Sequence, residues 1–69
     1  MNLKDVLQKL VDDGNSVLLN DGDKISSAND LLETLSEPML KRQAFMQPGL
    51  YIAEINDSGY LGNVIYKFV

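Results

Sequence analysis

The sequence predicts a single α+β domain, in which two helices pack on one face of a small antiparallel sheet of three to four strands. Three observations predict it: apolar residues at helical spacing near the N-terminus, an Asp-Gly turn between two short segments, and β-forming residues near the C-terminus that a polar turn interrupts. The predicted order is α-β-β-α-β-β. The chain of 69 residues has room for one hydrophobic core, so we expect residues 1–69 to form one compact domain.

The first predicted helix covers residues 3–13. Its apolar residues follow the i, i+3, i+4, i+7, i+8 series that forms one stripe along a helix. They are Leu3, Val6, Leu7, Leu10 and Val11. Asn2 is a suitable N-cap with Asp5 three positions later, and Gly14 supplies the left-handed residue that ends many helices.

A hairpin is predicted next. The short apolar run 16–20 is followed by Asp21-Gly22 and by a return segment at residues 24–26. Asp-Gly between two short strands is typical of a type I′ hairpin turn. The alternative is one strand followed by an irregular loop.

The second predicted helix begins after the N-cap Ser27, which has Asp30 three residues later. Its apolar side consists of Leu31, Leu32 and Leu35. Pro38 bounds this helix, and a break is expected near residues 36–37, because the residue before a proline avoids the helical region. Residues 39–46 are ambiguous. Their composition slightly favours a helix, whereas a strand running into Pro48-Gly49 would lengthen the sheet.

The C-terminal hairpin is the clearest in the chain. Residues 50–55 are rich in β-formers, residues 56–59 form a polar turn, and residues 60–69 form the last strand. Gly62 lies inside that strand, which predicts a bulge or the close approach of another backbone.

The composition argues against an enzyme. The chain has no histidine and no cysteine, the residues on which catalysis near neutral pH most often depends, and no phosphate-binding glycine loop. Four carboxylates lie near two glycine turns and are candidates for a cation site; they are Asp12, Asp13, Asp21 and Asp23. Their spacing does not fit an EF-hand loop, and acidic residues are common in turns, so we expect no metal and no cofactor.

The charge distribution argues against nucleic acid as a partner. The net charge is −4, with eight acids and three lysines in residues 1–37 and two acids and three bases thereafter. Lys41 and Arg42 lie near Phe45, but two charges do not make a phosphate-binding groove, and in a helix they would complement the C-terminal dipole. The first residues have no apolar run typical of a signal peptide or membrane span, and we expect a cytoplasmic protein without membrane contact.

The aromatic residues suggest a contact surface. All three tyrosines and both phenylalanines lie from Phe45 onward. Strand alternation places Tyr51, Ala53 and Ile55 on one face of the first strand of the C-terminal hairpin. On the second strand it groups Tyr60, Gly62, Val64, Tyr66 and Phe68. The opposite faces carry Leu50, Ile52, Leu61, Ile65 and Val69, so both faces of this hairpin are apolar.

An apolar outer face is unusual for a small sheet that helices cover on one side. Tyrosine also lines half-exposed sheets without any partner, and this plain interpretation stays open. The functional interpretation is a protein interface, for which we select Tyr51, Tyr60, Tyr66, Phe68 and Phe45. The sequence then predicts a non-enzymatic, acidic protein-interaction module of the accessory or inhibitor type that acts through its C-terminal hairpin.

Two alternatives remain. One is a structural or regulatory homodimer that pairs through the terminal strand. The other, less favoured, is a small-ligand-binding domain, because a chain this short seldom encloses a cavity of the order of a few hundred cubic ångströms and keeps a core.

Overall fold

The computed structural model describes residues 1–14, 18–47, 51–55, 58–59 and 61–69. Within these residues the helices are α1 (Leu3–Asp12), α2 (Ala28–Thr34) and α3 (Glu37–Leu40). The strands are β1 (Leu18–Asp21), β2 (Lys24–Ser27), β3 (Ala44–Gln47), β4 (Tyr51–Ile55) and β5 (Leu61–Phe68). They form one antiparallel sheet in the order β2-β1-β5-β4-β3. The α+β class is confirmed. The predicted numbers of three to four strands and two helices were too low, since the described residues form five strands and three helices.

Helix α1 forms largely as its sequence predicts. The Asn2 side chain accepts a hydrogen bond of 2.9 Å from the backbone N–H of Asp5, which satisfies one of the free donors of the first turn. The helix ends at Asp12, one residue earlier than predicted, and Gly14 follows with a φ of 73°. Its buried residues are Leu3, Val6, Leu7 and Leu10. They are four of the five residues of the predicted apolar stripe.

The first hairpin is present, but its turn differs from the predicted type. Asp21 pairs with Lys24, so Gly22 and Asp23 are the two turn residues. Gly22 has a φ of 66°, and no non-glycine residue of the described chain has a positive φ. A type I′ turn needs a positive φ at both central residues, whereas type II′ needs one only at the first. The φ signs are therefore those of a type II′ turn, with glycine at its preferred position.

Helix α2 follows the sheet without a loop. Ser27 is the last residue of β2 and also the N-cap of α2, where its hydroxyl accepts a 3.1 Å hydrogen bond from the backbone N–H of Asp30. A break occurs at Leu35 and Ser36, whose ψ angles of 144° and 155° are extended. It lies one residue earlier than predicted, and the expectation that the residue before Pro38 is not helical was wrong, because Glu37 begins α3. The strand, the cap and the break fix α2 above the β2 side of the sheet.

Residues 39–46 are divided between a helix and a strand, which corrects the slight preference for a helix throughout. Pro38 lies in the first turn of α3, where its fixed φ favours a helix and its missing N–H has no cost. After α3, residues Ala44–Gln47 pair with β4 as strand β3. Ala44 is fully buried there and Met46 packs against the core, so tertiary pairing overrides helix propensity.

One hydrophobic core lies between the helices and one face of the sheet. The helices contribute the four buried residues of α1 together with Ala28 and Leu31 of α2. The sheet contributes Leu19, Ala44, Ile52 and Tyr66, from four of its strands. Side chains from α3, such as Leu40, pack at the margin of this cluster. The helices therefore lie on one face of the sheet, as predicted.

The C-terminal strands pair with an irregular register. Ile52 lies opposite Tyr66, Ala53 opposite Val64, and Ile55 opposite Leu61. Each step takes one more residue of β5 than of β4, so β5 contains two irregularities. The one between Leu61 and Val64 includes Gly62, which confirms the bulge predicted there.

The other irregularity corrects the predicted face of the last strand. Simple alternation groups Val64, Tyr66 and Phe68, but Val64 lies opposite Ala53 and Tyr66 lies opposite its neighbour Ile52. Adjacent strand residues point to opposite faces, so Val64 and Tyr66 do as well. Tyr66 is 2% exposed within the core, whereas Val64 is 44% exposed.

The two serine N-caps give a test of the local interactions. Substitution Ser27→Ala removes the hydroxyl that accepts from Asp30, and we expect the free energy of unfolding to fall by about 1 kcal/mol. Ser36 is the matched control, since it caps α3 without a side-chain hydrogen bond, and Ser36→Ala should have a clearly smaller effect. Urea unfolding of the three proteins measures both values, and equal losses would contradict this assignment of the caps.

Candidate functional site

The face of the sheet opposite the helices is the candidate site, and we call it the open face. Its residues follow from the pairing register, because directly opposed residues of neighbouring strands share a face. One row crosses all five strands and consists of Gln47, Tyr51, Lys67, Asn20 and Ile25. A second row crosses three strands and consists of Phe45, Ala53 and Val64. With a strand spacing of about 4.8 Å, the longer row spans roughly 19 Å.

The eight residues of these two rows belong to a different layer from the core. None of them is part of the core cluster or of the partly buried side chains packed against it. Ala53 nevertheless has no exposed surface. It lies between its cross-strand partners Phe45 and Val64, whose larger side chains flank it. These three residues form a continuous apolar strip, which we call the strip.

The open face combines apolar surface with very little charge. Val64 is 44% exposed on the strip and Ile25 is 55% exposed at the β2 edge, while Phe45 and Tyr51 are half-buried. Lys67 is the one charged residue among the eight, and its side chain is exposed. The open face thus differs from an ordinary solvated sheet face mainly along the strip.

The described carboxylates lie elsewhere. Eight belong to the helices, their caps or the first hairpin: Asp5, Asp12, Asp13, Asp21, Asp23, Asp30, Glu33 and Glu37. Glu54 lies opposite the buried Ala44 and therefore on the helix side of the sheet. In a chain of net charge −4, the eight residues of the two rows on the open face thus carry a charge of +1.

The structure separates the residues selected from the sequence. Phe45 and Tyr51 lie on the open face. Phe68 lies opposite the buried Leu19 and packs partly against the core, and Tyr66 is buried within it. Tyr60 lies outside the described residues. Only Phe45 and Tyr51 of the five are therefore placed on the described open face.

Sequence reasoning missed several residues of this face. Val64 was assigned to the last strand but not selected, and Lys67 and Ile25 were not considered as site residues. The exposure of Val64 depends on the irregularity next to it, for which the local sequence gives no signal beyond the nearby Gly62. Lys67 had a usable signal, since it alternates with two aromatic residues, Tyr66 and Phe68.

The strand proposed for self-pairing is the central strand of the sheet. β5 lies between β1 and β4, and its pairing with β1 involves Lys67 and Phe68. The outer strands are β2 and β3. The start of β3 is covered by the N-terminal residues, because Leu3 donates to the Arg42 carbonyl at 2.7 Å and Ala44 donates to the Met1 carbonyl at 2.8 Å. Strand addition there has only the later residues of β3 available.

The fold changes the ionisation of the Tyr66 hydroxyl. Burial raises the pKa of its hydroxyl, because the ionised form loses hydration. The negative charge of Asp21 raises the pKa further, while the positive charge of Arg42 opposes both effects. The neutral phenol is therefore the stable form, and Tyr66 acts as a core residue.

Other candidate sites are small or lack suitable groups. A groove of about 220 Å³ between α1 and β3 is lined by Met1, Val6, Lys9, Ala44, Phe45 and Met46. Another of about 220 Å³ lies between α1 and α3. Lys41 is the C-cap of α3, and both it and Arg42 are exposed. Among the described residues, no three acidic side chains are grouped as metal binding would require, and no helix is long and apolar enough to cross a membrane.

Comparison of the chain with protein-family models, curated proteins and solved structures finds no match. The candidate function therefore depends on the geometry and charge of the open face.

The ionisation of Tyr66 predicts a loss of stability in alkali. An unfolded tyrosine ionises near its ordinary pKa of 10.0, whereas folded Tyr66 keeps its proton to higher pH. Its stabilising contribution is therefore complete below the unfolded pKa and declines as the pH rises towards the folded pKa. We expect the free energy of unfolding to fall more steeply from about pH 9 to pH 11 in the unchanged protein than in Tyr66→Phe. Urea unfolding across this range measures the difference, and parallel curves would contradict it.

Proposed function

We propose that the protein is a non-enzymatic protein-interaction module that binds a protein partner through the open face. The observation that supports this most is the apolar strip beside Tyr51, in which Val64 is 44% exposed and Phe45 is half-buried, on the face that the helices do not cover. Exposed apolar surface on a small domain is typical of docking sites, and tyrosine and phenylalanine are enriched at interface centres. The contact involves the outer side of β3, β4 and β5, and not the C-terminal hairpin alone.

The size of the domain adds a reason for association. A chain of 69 residues buries only about 60% of the surface of its unfolded form, so its core supplies little excess stability. Covering the strip with a partner would stabilise the folded state in proportion to partner concentration. An accessory or inhibitor protein that is stable mainly in its complex fits this behaviour.

The chemistry of the side chains supports a binding role and not a catalytic one. The sequence has no histidine or cysteine. Burial raises the pKa of Tyr66, so this hydroxyl is even less ready to ionise near neutral pH than an ordinary tyrosine. The two grooves of about 220 Å³ are smaller than ordinary ligand pockets, which makes the ligand-binding alternative weaker. A cytoplasmic location remains part of the proposal, since a chain without cysteine is compatible with a reducing compartment.

One observation favours the alternative of a homodimer. Ile25 is 55% exposed on β2, an outer strand whose pairing with β1 is regular over four residue pairs. An outer strand of this kind can pair with a second copy. The strand is short, however, and four residues provide little of the roughly 1,000 Å² that a stable interface needs.

A charge placed on the strip tests the proposed function. Substitution Val64→Asp should weaken binding, because a carboxylate on the strip is costly to bury against an apolar partner surface, and we expect affinity to fall by about tenfold or more. The matched control is Asn29→Asp, which adds the same charge at an exposed position of α2. Proteins from a cell extract are captured on each variant and compared by mass spectrometry, and circular dichroism verifies that each variant is folded.

The expected partner is recovered with the unchanged protein and with Asn29→Asp, and is absent with Val64→Asp. A partner that binds all three proteins equally would show that another surface is used.

A further inference from the structure

The position of Lys67 on the open face is unusual in an acidic protein. It lies on β5, the third of five strands, and it is the middle residue of the row that crosses the whole sheet. Its neighbours in the chain, Tyr66 and Phe68, point into the core, so the Lys67 side chain points away from the helices. A single positive charge therefore stands on the middle strand of the open face.

This charge opposes the stacking of two identical open faces. In a symmetric face-to-face dimer whose two-fold axis passes close to the middle strand β5, two Lys67 side chains approach each other in a region that has lost water. Like charges brought together in a dehydrated interface are strongly unfavourable. No carboxylate of the open face is available to compensate, since the described acids lie on the helix side or around the first hairpin.

The same charge favours a partner that carries a carboxylate. The strip and Tyr51 lie beside Lys67, since Tyr51 is its direct cross-strand partner, and covering them excludes water from the ammonium group. A charge pair is stronger in such surroundings than on an open surface. The net charge of −4 repels an acidic partner at a distance, but the carboxylates causing it are on other faces, and salt screens repulsion beyond about 8 Å.

We propose that Lys67 determines which surface the open face accepts: an apolar protein surface with an aspartate or glutamate opposite Lys67, and not a second copy of this chain. The inference rests on the proposed function, because it assumes that the open face is the docking surface. It assigns two effects to one residue, namely the exclusion of self-association and the selection of an acidic partner.

Charge variants test both effects with this chain alone. Substitution Lys67→Met keeps a long apolar side chain and removes the charge, so two open faces should stack, and sedimentation velocity should show dimers where the unchanged protein is a monomer. Substitution Lys67→Glu supplies the carboxylate of the proposed partner. Mixed with the unchanged protein it should form a one-to-one pair, with association at least roughly tenfold tighter than that of either protein alone. Raising the salt concentration should weaken this mixed pair.

Two controls locate the association. Lys24→Met removes a lysine from the outer strand β2 and should leave the protein monomeric. Adding Val64→Asp to Lys67→Met should abolish the dimer, because the strip can no longer be covered by an apolar surface.

Two results would overturn the proposal. If the unchanged protein is already a dimer that Val64→Asp dissociates, the open face is a docking surface, but its occupant is a second copy. If Lys67→Met stays a monomer and the mixture does not associate, Lys67 has no selective effect, while the capture experiment with Val64→Asp still decides whether the open face binds a partner.

Discussion

The irregular pairing of β4 with β5 determines what each side of this small domain presents. Because Ile52 opposes Tyr66 while Ala53 opposes Val64, the extra residue Ile65 reverses the alternation of the last strand. The change turns the largest aromatic side chain of β5 into the core and Val64 towards solvent. With regular pairing the two would share a face, so either the core would lose Tyr66 or the strip would lose Val64.

The helices are connected to this sheet by a small number of contacts. β2 ends in the residue that caps α2, and the N-terminal residues cover the start of β3, so two helices on the same face are attached directly to the opposite edges of the sheet. Helix α1 then spans the space between them with its buried stripe. The outer strands are four residues long, and short outer strands limit unwanted pairing. The open face, in contrast, has no covering element within the described residues.

The sequence predicted the features that depend on neighbouring residues. The caps Asn2 and Ser27, the apolar stripe of α1 and the irregularity near Gly62 all depend on local chemistry, and the structure has each of them. The break between the helices lies one residue earlier than predicted, because Pro38 and the residue before it belong to α3. Strand β3 was not predicted firmly, because Ala44 and Met46 are good helix formers whose conformation is decided by pairing with β4. The open face was recognised as apolar, but its members were misassigned, because the shift at Ile65 depends on a partner strand and not on the local pattern.

The separation of charge between the two sides of the molecule bears on both solubility and recognition. Nine described carboxylates surround the helix side and the first hairpin, which keeps the protein highly charged without placing acid on the open face. A face without any charge would expose the strip to copies of itself, since nothing would oppose stacking. One exposed lysine on the middle strand of the row opposes that contact, because its charge would have to be buried in the stacked interface. A lysine on an outer strand would leave the strip unprotected, so the position of Lys67 on the middle strand connects the proposed barrier to self-stacking with the chemistry of the surface proposed to cover this face.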